Sequence, residues 1–461
     1  MTMKKHYKIQ QDIPIKFIFM FYATPTSRRR PESQWTIRPT PRTMARVAGV
    51  RTVYRARWLL TGEGEPVPDG AIAIRDGRIE AAGSARDVAR DGRAVDLGDA
   101  AILPGFVNAH AHLELSGMRG QIPADGGFCA WVRRIVDRKR TMTDADLTLA
   151  VETGISEIVR NGFTTVADHA TRGLSYGPLC ESGVRGTSLI EFTGFALTPA
   201  GTEECLRMVE SRLAACPDTD RVRMGLAPHS PYALLPDLIR RAGERARAER
   251  RTLSIHLSEV LEEIAFLRTG TGPIREFLEY RGVLGPEWTP PRQSPTALAE
   301  SLGVLRPGTL AVHMNYLETG DLDRLHAGGA AVVYCPNSHA FFGHPPHPFG
   351  RYLDLGIRAA LGTDSLASNA SLSPWEELRT ARARFPAIPA PTLLRVASLG
   401  GGRALGLDAR IGTLSPGKEA DFIAARVPEG IGAGALEEHL VSSAPAVLLT
   451  VVAGRVLHDG R

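Results

Sequence analysis

The chain of 461 residues contains no apolar run of about 20 residues, the length a membrane-spanning helix needs, so a helical span is excluded. Cysteine is scarce. Cys129, Cys180, Cys205, Cys216 and Cys335 are odd in number, scattered and free of any C-x-x-C pair. That speaks against a disulfide framework and against cysteine-ligated zinc, and for a reducing cytoplasm. A basic body is missing as well. The formal charge is +5, but residues 1–46 carry ten Lys and Arg against Asp12 and Glu32, a surplus of eight that leaves the rest of the chain at −3. The basic pI therefore belongs to the leader, and the body has no face suited to nucleic acid.

The leader lacks the features of a targeting signal. Lys4, Lys5, Lys8 and Lys16 precede a short apolar run from Phe17 to Tyr22, and Arg28-Arg29-Arg30 follows. A secretory signal requires an uninterrupted apolar stretch of about 7–15 residues and a small-residue cleavage site. Lys16 interrupts the stretch, and no such site follows. Residues 1–43 read as upstream sequence ahead of a start at Met44, and residues 1–46 as a disordered leader.

What remains has ordinary globular composition, with 43% hydrophobic and 23% charged residues, in a chain long enough for two structural units. Residues 47–103 read as short strands and turns. Asp69-Gly70 and Asp76-Gly77 flank the strand-like Ala71 to Arg75, and Asp-Gly between apolar alternations signals a hairpin. Residues 406–461 have the same texture, at Ala420 to Ala424, Leu448 to Ala453 and Arg455 to Leu457. The two ends are expected to pair into one small β-sandwich domain.

Residues 104–405 alternate strand-like and helix-like segments. Apolar runs occur at 102–107, 164–167, 187–191, 224–227, 253–255, 310–312, 330–334 and 359–361. Helical patterns at 144–160, 236–249, 261–279 and 374–384 separate most of them, and the proline-rich 286–295 reads as an extended loop before the sixth strand. Eight buried runs alternating with helices predict an α/β fold of the (β/α)8 TIM-barrel type. The alternative is an open doubly wound sheet, disfavoured because no Gly-rich nucleotide loop follows the first strand. There is no internal repeat.

The polar residues that directly follow these runs carry the chemistry, since functional side chains of such barrels sit at the C-terminal strand ends. His110 and His112 are two residues apart and share one face of an extended strand end, so both imidazoles can reach one ion. His256 offers a third nitrogen, and Asp364 in Gly362-Thr363-Asp364-Ser365 completes a metal shell while touching the bound water. Glu259, three residues past His256, can shuttle protons, and a helix N-terminal role is compatible with that. His313 can stabilise developing charge. Each residue alone has a structural alternative, as a core or loop histidine or a turn aspartate. The ordered set does not arise easily by accident.

Substrate contacts are less defined. Glu114 lies two residues beyond His112 and can face a purine edge or a ribose, or orient a ligand histidine. Ser338, His339 and Phe341 after the seventh strand can face a heterocycle. His339, His344 and His347 fall within nine residues, but Pro345, Pro346 and Pro348 make that stretch an irregular loop and a poor second metal site. Arg119 can bind an anionic group or serve structure. Trp131, Arg133 and Arg134 sit on a helix-like segment that can roof the pocket.

The motifs at 104–112 (Pro-Gly-Phe-Val-Asn-Ala-His-Ala-His), 118–120, 228–230, 256–259, His313, 362–365 and the closing 412–421 resemble the amidohydrolase superfamily over roughly residues 47–461. Within it, the likeness is to the deaminase and chlorohydrolase branch that contains S-adenosylhomocysteine, guanine and aminofutalosine deaminases. The resemblance implies one divalent ion, zinc or iron, held by His110, His112, His256 and Asp364, with Glu259, His313 and Asp364 handling protons. Binuclear relatives add a carboxylated lysine at the end of the fourth strand. That strand here ends in His229 with no lysine nearby, which supports a single metal and makes His229 a substrate contact. The implied activity is hydrolytic removal of ammonia from an adenine-like heterocycle, aminofutalosine being favoured, with a small molecule as the only partner beyond a homodimer. The alternatives are hydrolytic dechlorination of triazines, opening of cyclic amides, or a non-catalytic scaffold on the same fold.

Overall fold

In a computed structural model, which describes residues 49–88, 91–286 and 288–461, apolar residues alternate along β1 (Thr52–Leu59), burying Val53, Ala56 and Trp58. β1 pairs antiparallel with β2 (Val67–Arg75), which turns into β3 (Arg78–Ser84). Asp76 and Gly77 make that turn with φ of 49° and 78°, the backbone a two-residue hairpin demands. β4 (Arg93–Asp96) and β5 (Ala100–Pro104) run parallel to β1. The expected leader, residues 1–46, lies outside the described residues.

Eight parallel strands follow, in spatial order of sequence: β6 (Phe106–Ala111), β7 (Phe163–Ala170), β8 (Arg185–Phe192), β9 (Val222–Pro228), β10 (Leu253–Leu257), β11 (Thr309–His313), β12 (Ala331–Tyr334) and β13 (Ala359–Leu361). A parallel bridge between Ala111 and Asp364 joins the first strand to the chain beyond the last and closes the ring. The (β/α)8 barrel is therefore present and the open doubly wound sheet is not. Val107, Ala109, Ala167, Leu189, Ala227, Leu310, Val312, Val333 and Ala360 form one apolar cluster from these strands. Helices cover the outside for ordinary reasons. In Asp144–Arg160, Leu147, Val151, Ile155 and Ile158 make one buried stripe, and Thr143 with Asp146 forms a reciprocal cap at its start.

The last strands, β14 (Phe422–Arg426), β15 (Val447–Val452) and β16 (Arg455–Asp459), return to the first sheet. β14 pairs antiparallel with β5, so the two chain ends build one sheet in the order β16-β15-β14-β5-β1-β2-β3, with β4 beside β1. Tyr54 packs edge-on against Phe422 at 5.0 Å in its core.

Three expectations need correction. The apolar run 102–107 is two strands, because the chain passes from one sheet to the other at Gly105, where a Cβ would stand 2.2 Å from Thr164 Cγ2. The helix expected over 261–279 is two helices, Leu261–Thr269 and Pro273–Tyr280, broken by Gly270 and Gly272 at φ 74° and 97°. The loop expected over 286–295 gives way at its end to a helix, Pro295–Ser301, because Ser294 Oγ accepts the Ala297 N–H and Pro295 suits the first turn.

One buried ion cluster ties the sheet to the barrel. Arg185 at the start of β8 is 1% exposed and reaches Asp421 Oδ2 at 3.1 Å, Asp421 Oδ1 at 3.0 Å and Glu419 Oε2 at 2.6 Å. Asp421 Oδ1 also accepts the Ala453 N–H at 2.8 Å, between β15 and β16. Removing one partner of such a pair strands the other charge in apolar surroundings. Asp421→Ala is expected to lower stability by about 3–5 kcal/mol, read as a fall in the urea unfolding midpoint.

Candidate metal centre and active site

The ends of β6, β10 and β11 and the segment after β13 converge on one point. His112 Nε2 and His256 Nε2 face each other at 3.4 Å. Asp364 Oδ1 lies 3.6 Å from His110 Nε2 and 3.7 Å from His112 Nε2. Nitrogens sharing a tetrahedral zinc at 2.0–2.1 Å stand about 3.3–3.4 Å apart, so these separations suit one ion better than direct hydrogen bonds. The chemistry of the donors agrees. His256 Nδ1–H donates to His229 O at 2.9 Å, which leaves Nε2 as its lone-pair nitrogen. His110 is fully buried, and neither of its ring nitrogens finds a hydrogen-bond partner among the described residues. Burial, reinforced by neighbouring histidines, holds His112 and His256 far below the ordinary histidine range, so both are neutral and able to coordinate.

Asp364 is fixed from both sides. Its Oδ2 accepts from Ser338 Oγ at 2.6 Å and Ser368 Oγ at 2.9 Å, which turns Oδ1 toward the histidines. Burial alone would raise its pKa, but His110, His112 and His313 outweigh burial and hold it well below the carboxylate range. Glu259 is opposite in character. Burial first, then the charges of Asp364 and Glu263, push its pKa well above the usual value. Its Oε1 stands 3.5 Å from His313 Nε2. Two carboxyls beside one histidine cluster are thus driven apart, Asp364 toward its ionised form and Glu259 toward its protonated form.

The backbone here is strained. Ser258, His313, Met314 and Asp364 all have positive φ, at 48°, 73°, 51° and 57°. Non-glycine residues in that region cost about 1–3 kcal/mol each and persist only where the surroundings enforce them. The enforcement is visible: Met314 N donates to Leu257 O, Asn315 N to Ser258 O and Asp364 N to His110 O, each at 3.0 Å. Gly362 completes the fit, because a Cβ there would lie 2.8 Å from His110 Cβ.

Not every residue expected at the substrate is free for it. His229 is in place, stacked on His256 at 4.5 Å. Ser338 is spent on Asp364. Both oxygens of Glu114 are filled, by Lys139 Nζ at 2.6 Å and by the N–H groups of Arg172 and Leu174, so this carboxylate anchors the loop after β7 instead of facing a purine. Arg119 is bound to Glu157 and to Ala370 O, which ties the turn after β6 to the loop after β13. His339 packs on Tyr334 and His344, at 5.8 and 5.3 Å. Phe341 is 37% exposed, whereas the adjacent Phe342 packs on Trp131 at 4.9 Å and Phe128 at 5.8 Å. Trp131 Nε1 donates to Ala367 O, which lays the helix Gly127–Arg140 against the segment after β13. Arg134 on that helix binds Asp125, and Arg133 lies over the Tyr280 ring.

Two buried residues were missed. His169 near the end of β7 joins His110, His112 and His256 in a group whose ligand atoms all lie within 4.8 Å of one another. Glu191 near the end of β8 groups in the same way with His229 and His256. Both fall at the ends of expected strands, as the other site residues do, and that position was the available signal.

A family model for the amidohydrolase family matches residues 101–457. The chain belongs to the amidohydrolase family. A 5-methylthioadenosine/S-adenosylhomocysteine deaminase of Syntrophobacter fumaroxidans is 31% identical over 421 residues, 87% of this chain and 91% of that protein. Among solved structures, an adenosine deaminase from Xanthomonas campestris with bound zinc superposes with a TM-score of 0.75 at 24% identity, over 88% of this chain and 92% of that one. Helicobacter pylori aminofutalosine deaminase superposes with a TM-score of 0.77 at 21% identity, over 88% and 99%. The two structures share the fold. No helix among the described residues is long and apolar enough to cross a membrane.

Behind the site, Glu377 braces the two loops that carry Ser338 and Ser368. It accepts from Asn337 N and Nδ2 and from Asn369 Nδ2, at 2.9, 3.0 and 2.6 Å. Burial pushes its pKa up to about 8 against these donors. A carboxyl that keeps its proton longer folded than unfolded favours the fold below its unfolded pKa, and this is lost as pH rises to the folded pKa. Between about pH 5 and pH 8 the wild type is therefore expected to lose on the order of a few kcal/mol relative to Glu377→Gln, measured as unfolding free energy against pH.

Proposed function

We propose that the protein is a metal-dependent hydrolytic deaminase of an adenine-like N-heterocycle, in the form of an adenosine derivative, and that it releases ammonia. The observation that carries this reading is the convergence of His110, His112, His256 and Asp364, at 3.4–3.7 Å, with Glu259 and His313 paired at 3.5 Å on the same rim. His110, His112, His256 and Asp364 would hold the ion. Zinc suits the donor set of three imidazoles and a carboxylate, and iron is the alternative. Bound there, the ion supplies a Lewis acid that makes water a nucleophile near neutral pH.

The remaining work falls to side chains. Asp364 Oδ1 takes the proton of the attacking water. Glu259 delivers its proton to the ring nitrogen beside the attacked carbon, where negative charge would otherwise accumulate. His313, 3.5 Å from Glu259, stabilises the new oxygen substituent. Asp364 then returns its proton to the exocyclic amine, the carbon–nitrogen bond breaks and ammonia departs, while the new oxygen substituent becomes a carbonyl and its proton restores Glu259. His229, stacked beside His256, borders the substrate space. The five free thiols, scattered through the chain, agree with a cytoplasmic enzyme.

The name of the curated relative favours a 5′-substituted adenosine such as 5′-methylthioadenosine or S-adenosylhomocysteine, alongside the aminofutalosine suggested by the sequence motifs. Ammonia release from a panel of these compounds by metal-replete protein lacking residues 1–43 tests the reading. Turnover of at least one is expected. Chloride from triazines with no ammonia from any purine would replace deamination by dechlorination, and no product from either set would favour a scaffold. Glu259→Gln is expected to lower kcat by at least about a hundredfold while metal content is unchanged, measured by ammonia release and metal analysis. An active Glu259→Gln variant would remove the acid role from Glu259.

A further inference from the structure

Glu191 is 3% exposed near the end of β8, among histidines. Its Oε1 lies 3.1 Å from His169 Nδ1, and its Oε2 lies 3.7 Å from His112 Nδ1. His169 Nε2 is 2.9 Å from Ser254 Oγ, on β10. A carboxylate only accepts, so the ring proton of His169 sits on Nδ1, and its Nε2 accepts from the Ser254 hydroxyl. Both nitrogens of His169 are thereby committed. Glu191 relates to His112 more loosely: its Oε2 stands 3.7 Å from Nδ1, beyond hydrogen-bond range, so it acts on that ring through its charge, while Nε2 faces His256 Nε2 and Asp364 Oδ1 at 3.4 and 3.7 Å.

Four imidazoles with ligand atoms inside 4.8 Å of one another present a problem of selection. Nothing in the residue type distinguishes His169 from His110, His112 or His256. The distinction comes from what lies behind each ring. His256 is turned by the His229 carbonyl, and His169 is held off by Glu191 and Ser254.

We propose that Glu191 is a positioning residue: its hydrogen bond to His169, with Ser254 behind that ring, keeps His169 out of the coordination shell, and its charge facing His112 Nδ1 favours the tautomer that offers Nε2 to the metal. The four clustered histidines then give three ligands. The inference rests on the reading of His112 as a ligand, and it assigns to β8 a part in metal binding although β8 contributes no ligand. Outer carboxylates of this kind are worth about 10–100-fold in metal affinity.

The test uses the full chain stripped of metal, with zinc affinity measured by competition against a chromophoric chelator. Glu191→Gln is expected to bind zinc about 10–100-fold more weakly than wild type, with the unfolding midpoint of the metal-free protein close to wild type. The visible spectrum of the cobalt-loaded variant is expected to shift, because the charge behind the His112 ring is gone and His169 is no longer held by a carboxylate. His169→Gln is expected to keep one zinc per chain. Unchanged zinc affinity and an unchanged cobalt spectrum in Glu191→Gln would overturn the proposal. So would loss of zinc by His169→Gln as complete as that by His112→Gln, since His169 would then be a ligand. If Glu191→Gln does not fold, Glu191→Asp replaces it: the shorter reach is expected to weaken zinc binding, and wild-type affinity would again overturn the proposal. Wild-type zinc binding by His112→Gln would instead remove the ligand reading itself, whatever Glu191 does.

Discussion

The contact between Ala111 and Asp364 decides what the rim of the barrel can do. Eight parallel strands in sequence order leave the first and last to find each other, and here they meet through the backbone of the segments that carry the proposed ligands. His110 O accepts from both Thr363 N and Asp364 N at 3.0 Å. Asn108 and Thr363 add side-chain bonds at 2.8 and 3.2 Å. Closing the ring and bringing Asp364 to His110 and His112 are thus one event. The absence of a side chain at Gly362 is what lets the two backbones come so close.

Closure has an electrostatic consequence. Asp364 and Glu191 are buried with hydroxyls and imidazoles as their side-chain hydrogen-bonding partners among the described residues. Buried carboxylates without a fixed cation are costly unless something positive arrives. The nearby cations have other commitments: Lys139 to Glu114, Arg119 to Glu157, Arg172 to Asp144. Each of these pairs pins a loop of the rim. The neutral histidines and the ionised aspartate therefore face a space whose charge balance a divalent ion would restore.

Much of this was legible in the chain. The eight apolar runs marked the barrel because parallel strands buried on both faces read as continuous hydrophobic stretches. His110, His112, His256, Glu259, His313 and Asp364 stood out because each directly follows such a run, and the structure gathers them. Elsewhere the chain left alternatives that only folding decides. Glu114, placed by its spacing from His112, and Arg119, read as an anion contact or a structural residue, meet partners distant in sequence: Lys139 and Arg172 for the first, Glu157 and Ala370 for the second. Phe341 closes a short helix, Pro336–Phe341, with its ring exposed while Phe342 packs on Trp131, and a proline-rich stretch gives no periodicity from which to read that. His169 and Glu191 were overlooked for another reason: Glu191 is the last residue of the expected run 187–191 and looks like part of the strand, and His169, two residues past the run 164–167, has no second ligand-type histidine beside it in sequence.

That last point bears on how a site of this kind is specified. A ligand histidine differs from its neighbour only through the group behind it, and those groups here are a carbonyl at His229, a carboxylate at Glu191 and two hydroxyls at Ser338 and Ser368. They come from the end of β9, from β8 and from the segments after β12 and β13, whereas the histidines proposed as ligands come from the ends of β6 and β10. Apart from Ser368, which shares its segment with Asp364, the supporting groups therefore come from parts of the barrel that supply no proposed ligand. A change in β8 or in the loop after β12 can then alter the site as surely as a change of ligand, through the angle at which an imidazole meets the ion. The strained backbone at Ser258, His313, Met314 and Asp364 works in the same direction. It trades stability for placement, and the interstrand hydrogen bonds that enforce it are the ones that hold the barrel together at this end.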